Sequence, residues 1–327
     1  MGRSCTLLRA FRIARSSFPG PTCARRGLRR VRCAPGQNVV VNPFTPIAAA
    51  VSIAGRHGVH VTDPVVLKDS FNIRVHLRPA PIVARIPTVT TLGRPRPLEA
   101  LAREVAVVSF LAEKGAPVVP VSDLMPPGPF EQDGYAVSFW TYVEHDGDRR
   151  LEPADVGGAL ADLHHTLREY PGELLYLGPA LEETTRLLDM LDAPPGVDRG
   201  ALAELRDDLG LLTVELSGQP GPVQAVHGDA HPGNLLAAPE GLLWIDFEET
   251  CSGPAGWDLA CLLRSGRLDG RQAVQRYGVD PDDPSLRPLL RARMLQGTLW
   301  MLAKARRFPQ EAGRAKAALD EWRQARG

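Results

Sequence analysis

Three polar residues stand close together between apolar runs: Asp229, Asn234 and Asp246, in VHGDAHPGNLL (226–236) and LLWIDFEETCSGPAGWDLA (242–260). Transfer of a phosphoryl group from ATP to an alcohol asks for such a set. One carboxylate orients the attacking hydroxyl and takes its proton. Others supply oxygen ligands to the Mg²⁺ that bridges the phosphates, because a hard cation prefers carboxylate and amide oxygens. Asn in a ligand position avoids adding another full negative charge beside a triphosphate. A rival reading takes His227, Asp229 and His231 as ligands of a hydrolytic metal. A zinc or two-metal site needs further His or carboxylate ligands, and the other His pair in this region, His164-His165, adjoins helical Leu163 and reads as packing.

The elements around these residues follow from periodicity. Val223–Val226 and Leu242–Phe247 read as short strands, so the three residues flank a strand–loop–strand unit. After Leu151 the chain is mainly helical: Val156, Leu160, Leu163 and Leu167 mark one amphipathic helix, 180–192 and 199–216 two more, and helices return from Trp257 to the end. Upstream, Val65–Leu67, Ile73–Leu77 and Ile82–Ile86 are β-prone runs separated by Asp69-Ser70 and Pro79-Ala80-Pro81, an antiparallel pattern. Leu98, Leu101, Val105, Val108 and Ala112 predict a helix over 98–114 with Gly115 as its stop. Tyr135–Val143 is a further strand, followed by polar EHDGD (144–148). A β-rich first part and an α-rich second part make an α+β protein of two unequal lobes.

His227, Asp229 and Asn234 match the spacing H-x-D-x-x-x-x-N of a kinase catalytic loop, and Asp246-Phe247 follows at the end of the next strand. The block HGDAHPGN…IDFEETCSGPAGWDLA resembles the aminoglycoside phosphotransferase and choline-kinase-like family, densely over 223–262 and more loosely over about 59–170. The resemblance implies a two-lobed protein-kinase-like fold, with a small antiparallel β lobe carrying one helix and a larger, mainly helical lobe. It implies that Asp229 is the catalytic base and that Asn234 and Asp246 bind Mg²⁺. His227 would brace the loop; His231, Gly233 and Asp258 would hold its geometry, Asp258 capping or anchoring the helix it opens. Asp-Phe-Glu stands where protein kinases carry Asp-Phe-Gly, so Glu248 would face the cleft or support Asp246. Only Glu249 to Trp257 separate that strand from the next helix, which leaves no room for an activation segment and disfavours protein substrates.

In the same resemblance an ATP-anchoring cation ends the third strand of the small lobe and pairs with a helix carboxylate. Arg85 in Ile82–Ile86 and Glu104 in AREVAVVSFL occupy those places, with Arg78 or Lys68 as alternatives to Arg85. Arg for Lys exchanges a point charge for a planar fork. The turn Lys68–Asn72 takes the place of the phosphate-covering loop and offers the Ser70 hydroxyl. Phe139–Val143 reads as the hinge, its backbone facing adenine, with Trp140 and Tyr142 beside the nucleotide or in the interlobe core.

Charge is unevenly distributed. Residues 1–62 hold ten Arg and no acid, whereas 63–327 carry 28 basic and 38 acidic residues. The acidic body argues against a nucleic-acid partner. Residues 1–36 read as a disordered or non-native basic leader, with a transit peptide or a basic arm as alternatives. Residues 37–143 read as the nucleotide-binding lobe and 144–327 as the catalytic and acceptor-binding lobe. Five scattered Cys suggest neither a disulfide framework nor a zinc site, and no run is long enough for a transmembrane helix, so the cytoplasm is expected. The expected partners are ATP and a small-molecule hydroxyl acceptor. Glu144, Asp146, Asp148, Glu248 and Glu249 favour an amine-bearing one, such as an amino sugar or amino alcohol. A nucleotide-binding pseudokinase with a regulatory role stays open as the alternative, and the oligomeric state is not legible.

Overall fold

The computed structural model describes residues 29–33, 37–41, 45–191, 199–217 and 222–326. Seven strands form the sheet of the small lobe: β1 (Arg29–Cys33), β2 (Gln37–Val41), β3 (Val61–Asp69), β4 (Asn72–Pro79), β5 (Ile82–Pro87), β6 (Phe130–Gln132) and β7 (Tyr135–Thr141). Their order is β2-β1-β3-β4-β5-β7-β6, antiparallel except for the β1–β3 pair. Of the leader expected over 1–36, residues 29–33 form β1, while 1–28 and 34–36 lie outside the described residues.

Successive side chains of a strand point to opposite faces, and that alternation makes the site. Ile73, Val75 and Leu77 of β4, Ile82, Ala84 and Ile86 of β5, and Val137 and Phe139 of β7 fill the lobe's own core. Their neighbours Arg74, Val83, Arg85 and Trp140 therefore face the other way, where they line a cleft. The small lobe carries two helices rather than one. Helix α1 (Pro46–Arg56) starts at Pro46, within an apolar run; proline is tolerated at a first turn, and the Thr45 hydroxyl caps it by accepting from the Ala48 amide at 3.2 Å. Ile47, Ala50 and Ile53 then pack on the sheet core. Helix α2 (Pro97–Glu113) ends at Gly115, whose φ of 74° suits glycine. One turn of α2 apart, Glu104 and Val108 face the cleft.

The large lobe holds α3 (Pro153–Leu167), α4 (Thr184–Met190), α5 (Arg199–Ser217), α6 (Gly256–Leu263), α7 (Gly270–Tyr277), α8 (Leu286–Arg307) and α9 (Ala312–Arg326). Two small ribbons cross it: β8 (Gln224–Val226) with β11 (Cys251–Gly253), and β9 (Leu235–Ala238) with β10 (Gly241–Trp244). Its core, including Leu160, Leu205, Trp244, Trp257, Leu295 and Leu299, also takes Val107, Val108 and Leu111 of α2, while the small-lobe sheet has a core of its own. The fold is thus α+β with two lobes, α2 packing onto the core of the larger one. The lobes are stitched where the segment after α2 meets β10: Trp244 donates its amide to Pro117 at 2.9 Å and accepts from Val119 at 3.0 Å. No described helix is long and apolar enough to cross a membrane.

Candidate active site

The loop between β8 and β9 is held from beneath by one buried carboxylate. Asp258 of α6 accepts from the amides of His227 (2.7 Å) and Gly228 (2.8 Å) and lies 2.8 Å from His164 Nε2 of α3. It therefore does not cap α6; it anchors the loop. Gly228 has φ +90°, and a Cβ there would sit 1.9 Å from the Glu249 carbonyl oxygen, so no larger residue fits. The loop is closed by Trp257, whose indole donates to the Gly228 carbonyl at 2.8 Å.

His227 is fully buried with both ring nitrogens engaged. Nδ1 accepts from the Asp229 amide (3.2 Å) and Nε2 donates to the Ile245 carbonyl (3.1 Å). Burial lowers its pKa against the opposing pull of Asp258 and Asp229, so the ring stays neutral. His231 accepts from the Gly233 amide at 2.9 Å and approaches Asp229 Oδ2 at 3.4 Å. With no nitrogen of His227 free, the hydrolytic-metal reading of HGDAH fails. Among the described residues, no group of three His, Cys, Asp or Glu could hold a metal ion.

Asn234 donates to the Asp229 carbonyl (3.0 Å) and to its Oδ2 (3.1 Å). The other carboxylate oxygen, Oδ1, is gripped by Arg293 of α8, which also donates to Glu249 (3.2 Å) and Gln296 (2.7 Å). Burial alone would raise the Asp229 pKa, but the Arg293 guanidinium outweighs it and holds the group far below the usual carboxylate range. Arg293 was not foreseen. It lies 64 residues from Asp229, in a helix dotted with arginines, and nothing local distinguishes it from them.

Asp246 adopts the left-handed conformation (φ 73°, ψ 55°), uncommon for a residue with a side chain and a form of strain that accumulates at functional sites. Two arginines of the small lobe hold it: Arg74, through Oδ2, and Arg85, whose Nη2 lies 2.8 Å from Oδ1. Burial raises its pKa, but Arg85 and then Arg74 prevail, leaving it at about 2. The expected pair of Arg85 with Glu104 is present and nearly dry, at 4% and 1% exposure. Arg85 also contacts Glu248, so this carboxylate supports Asp246 at one remove rather than directly.

From there an unbroken series of ion pairs runs through Arg94, which meets Glu183 (2.8 Å), Glu248 (2.7 Å) and Glu249 (3.4 Å), to Arg293 and Asp229. In that network four arginines (74, 85, 94, 293) face six carboxylates (104, 183, 229, 246, 248, 249). The crowding shows in Glu249, whose pKa is pushed up to about 8 by burial and then by Asp229.

Between the lobes lies a cleft of about 240 Å³, lined by Lys68, Arg74, Arg85, Glu104, Trp140 and Tyr142 among others, with Asp246 at its inner end. Arg78 stands exposed at the end of β4, and Ser70 is not among the cleft's lining residues. Its turn is tied instead to α8, where Arg307 contacts the Ser70 carbonyl at 3.3 Å and Asp69 at 2.9 Å. Trp140 donates its indole N–H to Ser138 (3.0 Å), and the Tyr142 ring stacks on His76 at 3.7 Å. The Thr141 and Tyr142 amides are taken by Pro120 and Pro81, whereas the Val143 amide has no partner among the described residues. Of the acids read as a cationic-acceptor mouth, Glu248 and Glu249 are engaged by arginines, and Asp146 caps the amides of Asp148 and Arg149.

A family model described as "APH: Phosphotransferase enzyme family" matches residues 60–295. Among solved structures, a choline/ethanolamine kinase family protein from Mesorhizobium loti is similar at 18% identity, over 80% of this chain and 87% of that one, with a TM-score of 0.54. A choline kinase from Streptococcus pneumoniae aligns at 15% identity over 85% and 100% of the two chains, with a TM-score of 0.59. An aminoglycoside phosphotransferase solved as its GDP and kanamycin complex gives 16% identity, 85% and 99% coverage, and a TM-score of 0.59. At such identities the likeness is one of fold, the two-lobed kinase-like architecture.

Proposed function

This chain belongs to the phosphotransferase enzyme family, and from that membership we propose that it transfers the γ-phosphoryl group of ATP to a hydroxyl of a small molecule, with Mg²⁺. The observation that carries the proposal is the linkage of Asp229, Asn234 and Asp246 beside an interlobe cleft: Asn234 donates to Asp229, its carbonyl accepts from the Ile245 amide, and Asp246 lines the cleft.

The residues present fit a divalent cation. Asp246 Oδ1 is buried without a well-aligned hydrogen bond, and Asn234, both of whose donations go to Asp229, keeps its amide oxygen free. One carboxylate and one amide oxygen match a cation that takes few protein ligands and completes its shell with phosphates and water. Bound there, Mg²⁺ supplies neutralisation of the phosphate oxygens as charge builds on them. Arg74 and Lys68, at the cleft wall, are the side chains to meet the phosphates. Arg85, engaged by three carboxylates, holds Asp246 and Glu104 in place. The free Val143 amide serves the adenine edge, with Trp140 and Tyr142 as walls.

Asp229 orients the acceptor hydroxyl. The hydroxyl oxygen bonds to the γ-phosphorus, its proton passes to Asp229, and the bond to the β,γ-bridging oxygen breaks to release ADP. A carboxylate so depressed by Arg293 is a weak base, suited to taking the proton late, once the new P–O bond has made it acidic. The test is calorimetry of the full chain with AMP-PNP with and without Mg²⁺, followed by ADP release across a panel of alcohols. Magnesium-dependent binding and acceptor-dependent turnover are expected. Binding without turnover on any acceptor would favour the regulatory alternative, and no nucleotide binding would sink the proposal.

A further inference from the structure

Beside Asp229 lies a second pocket of about 310 Å³. Two of its lining residues, His231 and Arg293, are among the side chains that touch the Asp229 carboxylate. A molecule in this pocket therefore abuts the base. The other charged lining residues are Arg264 and Arg267, from the turn after α6, and none of the described residues that line it is acidic.

We propose that the acceptor is a small hydroxylated anion, a carboxylate or a phosphate ester, bound here with its charge against Arg264 and Arg267 and its hydroxyl at Asp229. The inference rests on the kinase reading above and deepens it. Arg267 is exposed and forms no ion pair among the described residues, while its guanidinium lies so near the catalytic loop that a Cβ on Gly233 would come within 2.9 Å of Nη1. An unpaired guanidinium at the rim of an open pocket is a planar, two-pronged receptor for carboxylate or phosphate oxygens. Arg264 pairs with Glu321 at 2.7 Å, but Glu321 is 56% exposed and stands outside the pocket. An exposed pair of that kind is worth little and yields readily to a ligand anion. On the floor, Arg293 already bridges Asp229 and Glu249; a carboxylate or phosphate oxygen drawing on its fork would loosen the grip on Asp229 Oδ1, leaving that oxygen free to accept the hydroxyl proton. A cationic acceptor would meet three arginines and a histidine, with the adjoining Asp229 carboxylate already held by Arg293, a like-charge arrangement that disfavours amines. Thr298 and Met301 complete the wall, and the volume lies at the small end of ligand pockets, which fits a metabolite better than a multi-ring compound.

The test is a matched acceptor set offered to the full chain with AMP-PNP and Mg²⁺ for binding, and with ATP for turnover. It contains glycerol, glycerate, glycerol 3-phosphate and 3-amino-1,2-propanediol, with glucose, gluconate, glucose 6-phosphate and glucosamine. At least one anion should bind on the order of tenfold more tightly than its neutral and amine counterparts, and carboxylates against phosphate esters separate the two sources of charge. Arg267→Glu should reverse that ratio toward the amine, a change that loss of packing alone would not produce, with AMP-PNP binding reporting that the cleft remains folded. Preference for the amines or the neutral polyols in the unaltered protein overturns the proposal, as does failure of every anion in the set to bind. Loss of AMP-PNP affinity in Arg267→Glu with unchanged acceptor preference also overturns it, because Arg267 would then serve the nucleotide. Absence of AMP-PNP binding to the unaltered protein strikes instead at the kinase reading.

Discussion

Asp229 and Asp246 sit in one strand–loop–strand unit, yet opposite lobes hold them. Asp246 is held by Arg74 and Arg85, both projecting from the outward face of the small-lobe sheet. Asp229 is held by Arg293 of the large lobe and by its own loop through Asn234. Both carboxylates are half-buried and kept ionised by guanidinium groups. In the proposed reaction they would differ in what each gives up. Asp246 would exchange Arg74 for a metal ion while Arg85 stays, whereas Asp229 would share an oxygen with an incoming hydroxyl.

The sharpest way to break this division is to neutralise each carboxylate in turn. Asp229→Asn should lower kcat on the order of 10²–10⁴-fold with nucleotide affinity nearly intact, since a general base acts on the acceptor proton. Asp246→Ala should instead abolish the magnesium-dependent part of nucleotide binding. If calorimetry and steady-state kinetics found the two phenotypes interchanged or alike, the two carboxylates would not have separate tasks.

The next largest effect concerns Arg85. Removing one partner of a buried ion pair costs roughly 3–5 kcal/mol, because the other charge stays buried and alone. Arg85→Ala should thus lower stability in urea unfolding before any effect on nucleotide is read. Adding Glu104→Gln should recover part of the loss, and strict additivity of the two changes would place them in separate units. Arg74, one-fifth exposed at the cleft wall, should be different. Arg74→Ala is expected to raise the KM for ATP about tenfold, the scale of one charge-assisted contact, with little change in stability. Arg78→Ala, at the exposed strand end, is the control and should leave KM as it was.

The smallest effect is a slope. Glu249 in the folded chain holds its proton to about pH 8, far above the unfolded carboxyl. Between about pH 5 and pH 8 the folded state therefore binds more protons than the unfolded state, and stability falls as pH rises through that window. Glu249→Gln should flatten that part of the urea-derived stability profile; an unaltered slope would assign it to another group.

Much of this architecture was legible in advance. The strands at 65–67, 73–77 and 82–86 and the helix at 98–114 were marked by their periods, and they appear as β3, β4, β5 and α2. Helix α1 was obscured because Pro46 reads as a breaker unless Thr45 is recognised as its cap. The pair of Arg85 with Glu104 was anticipated from the family resemblance, which sets a cation at the end of the third strand against a helix carboxylate. Asp258 was singled out as holding the loop's geometry and as capping or anchoring α6; that it does the first by reaching back to the His227 and Gly228 amides depends on how α6 packs beneath the loop.

What the sequence determined by itself was the content of the catalytic loop, since Asp229, Asn234 and Asp246 are close along the chain and the two strands beside them leave few ways to arrange them. What only the tertiary structure decided was the charge around them. Arg74 reaches Asp246 from 172 residues away, and Arg293 reaches Asp229 from 64. No periodicity distinguishes these arginines from the others, because a side chain's partner is set by how distant segments pack, across the lobes for Arg74 and within the large lobe for Arg293, not by spacing along the chain.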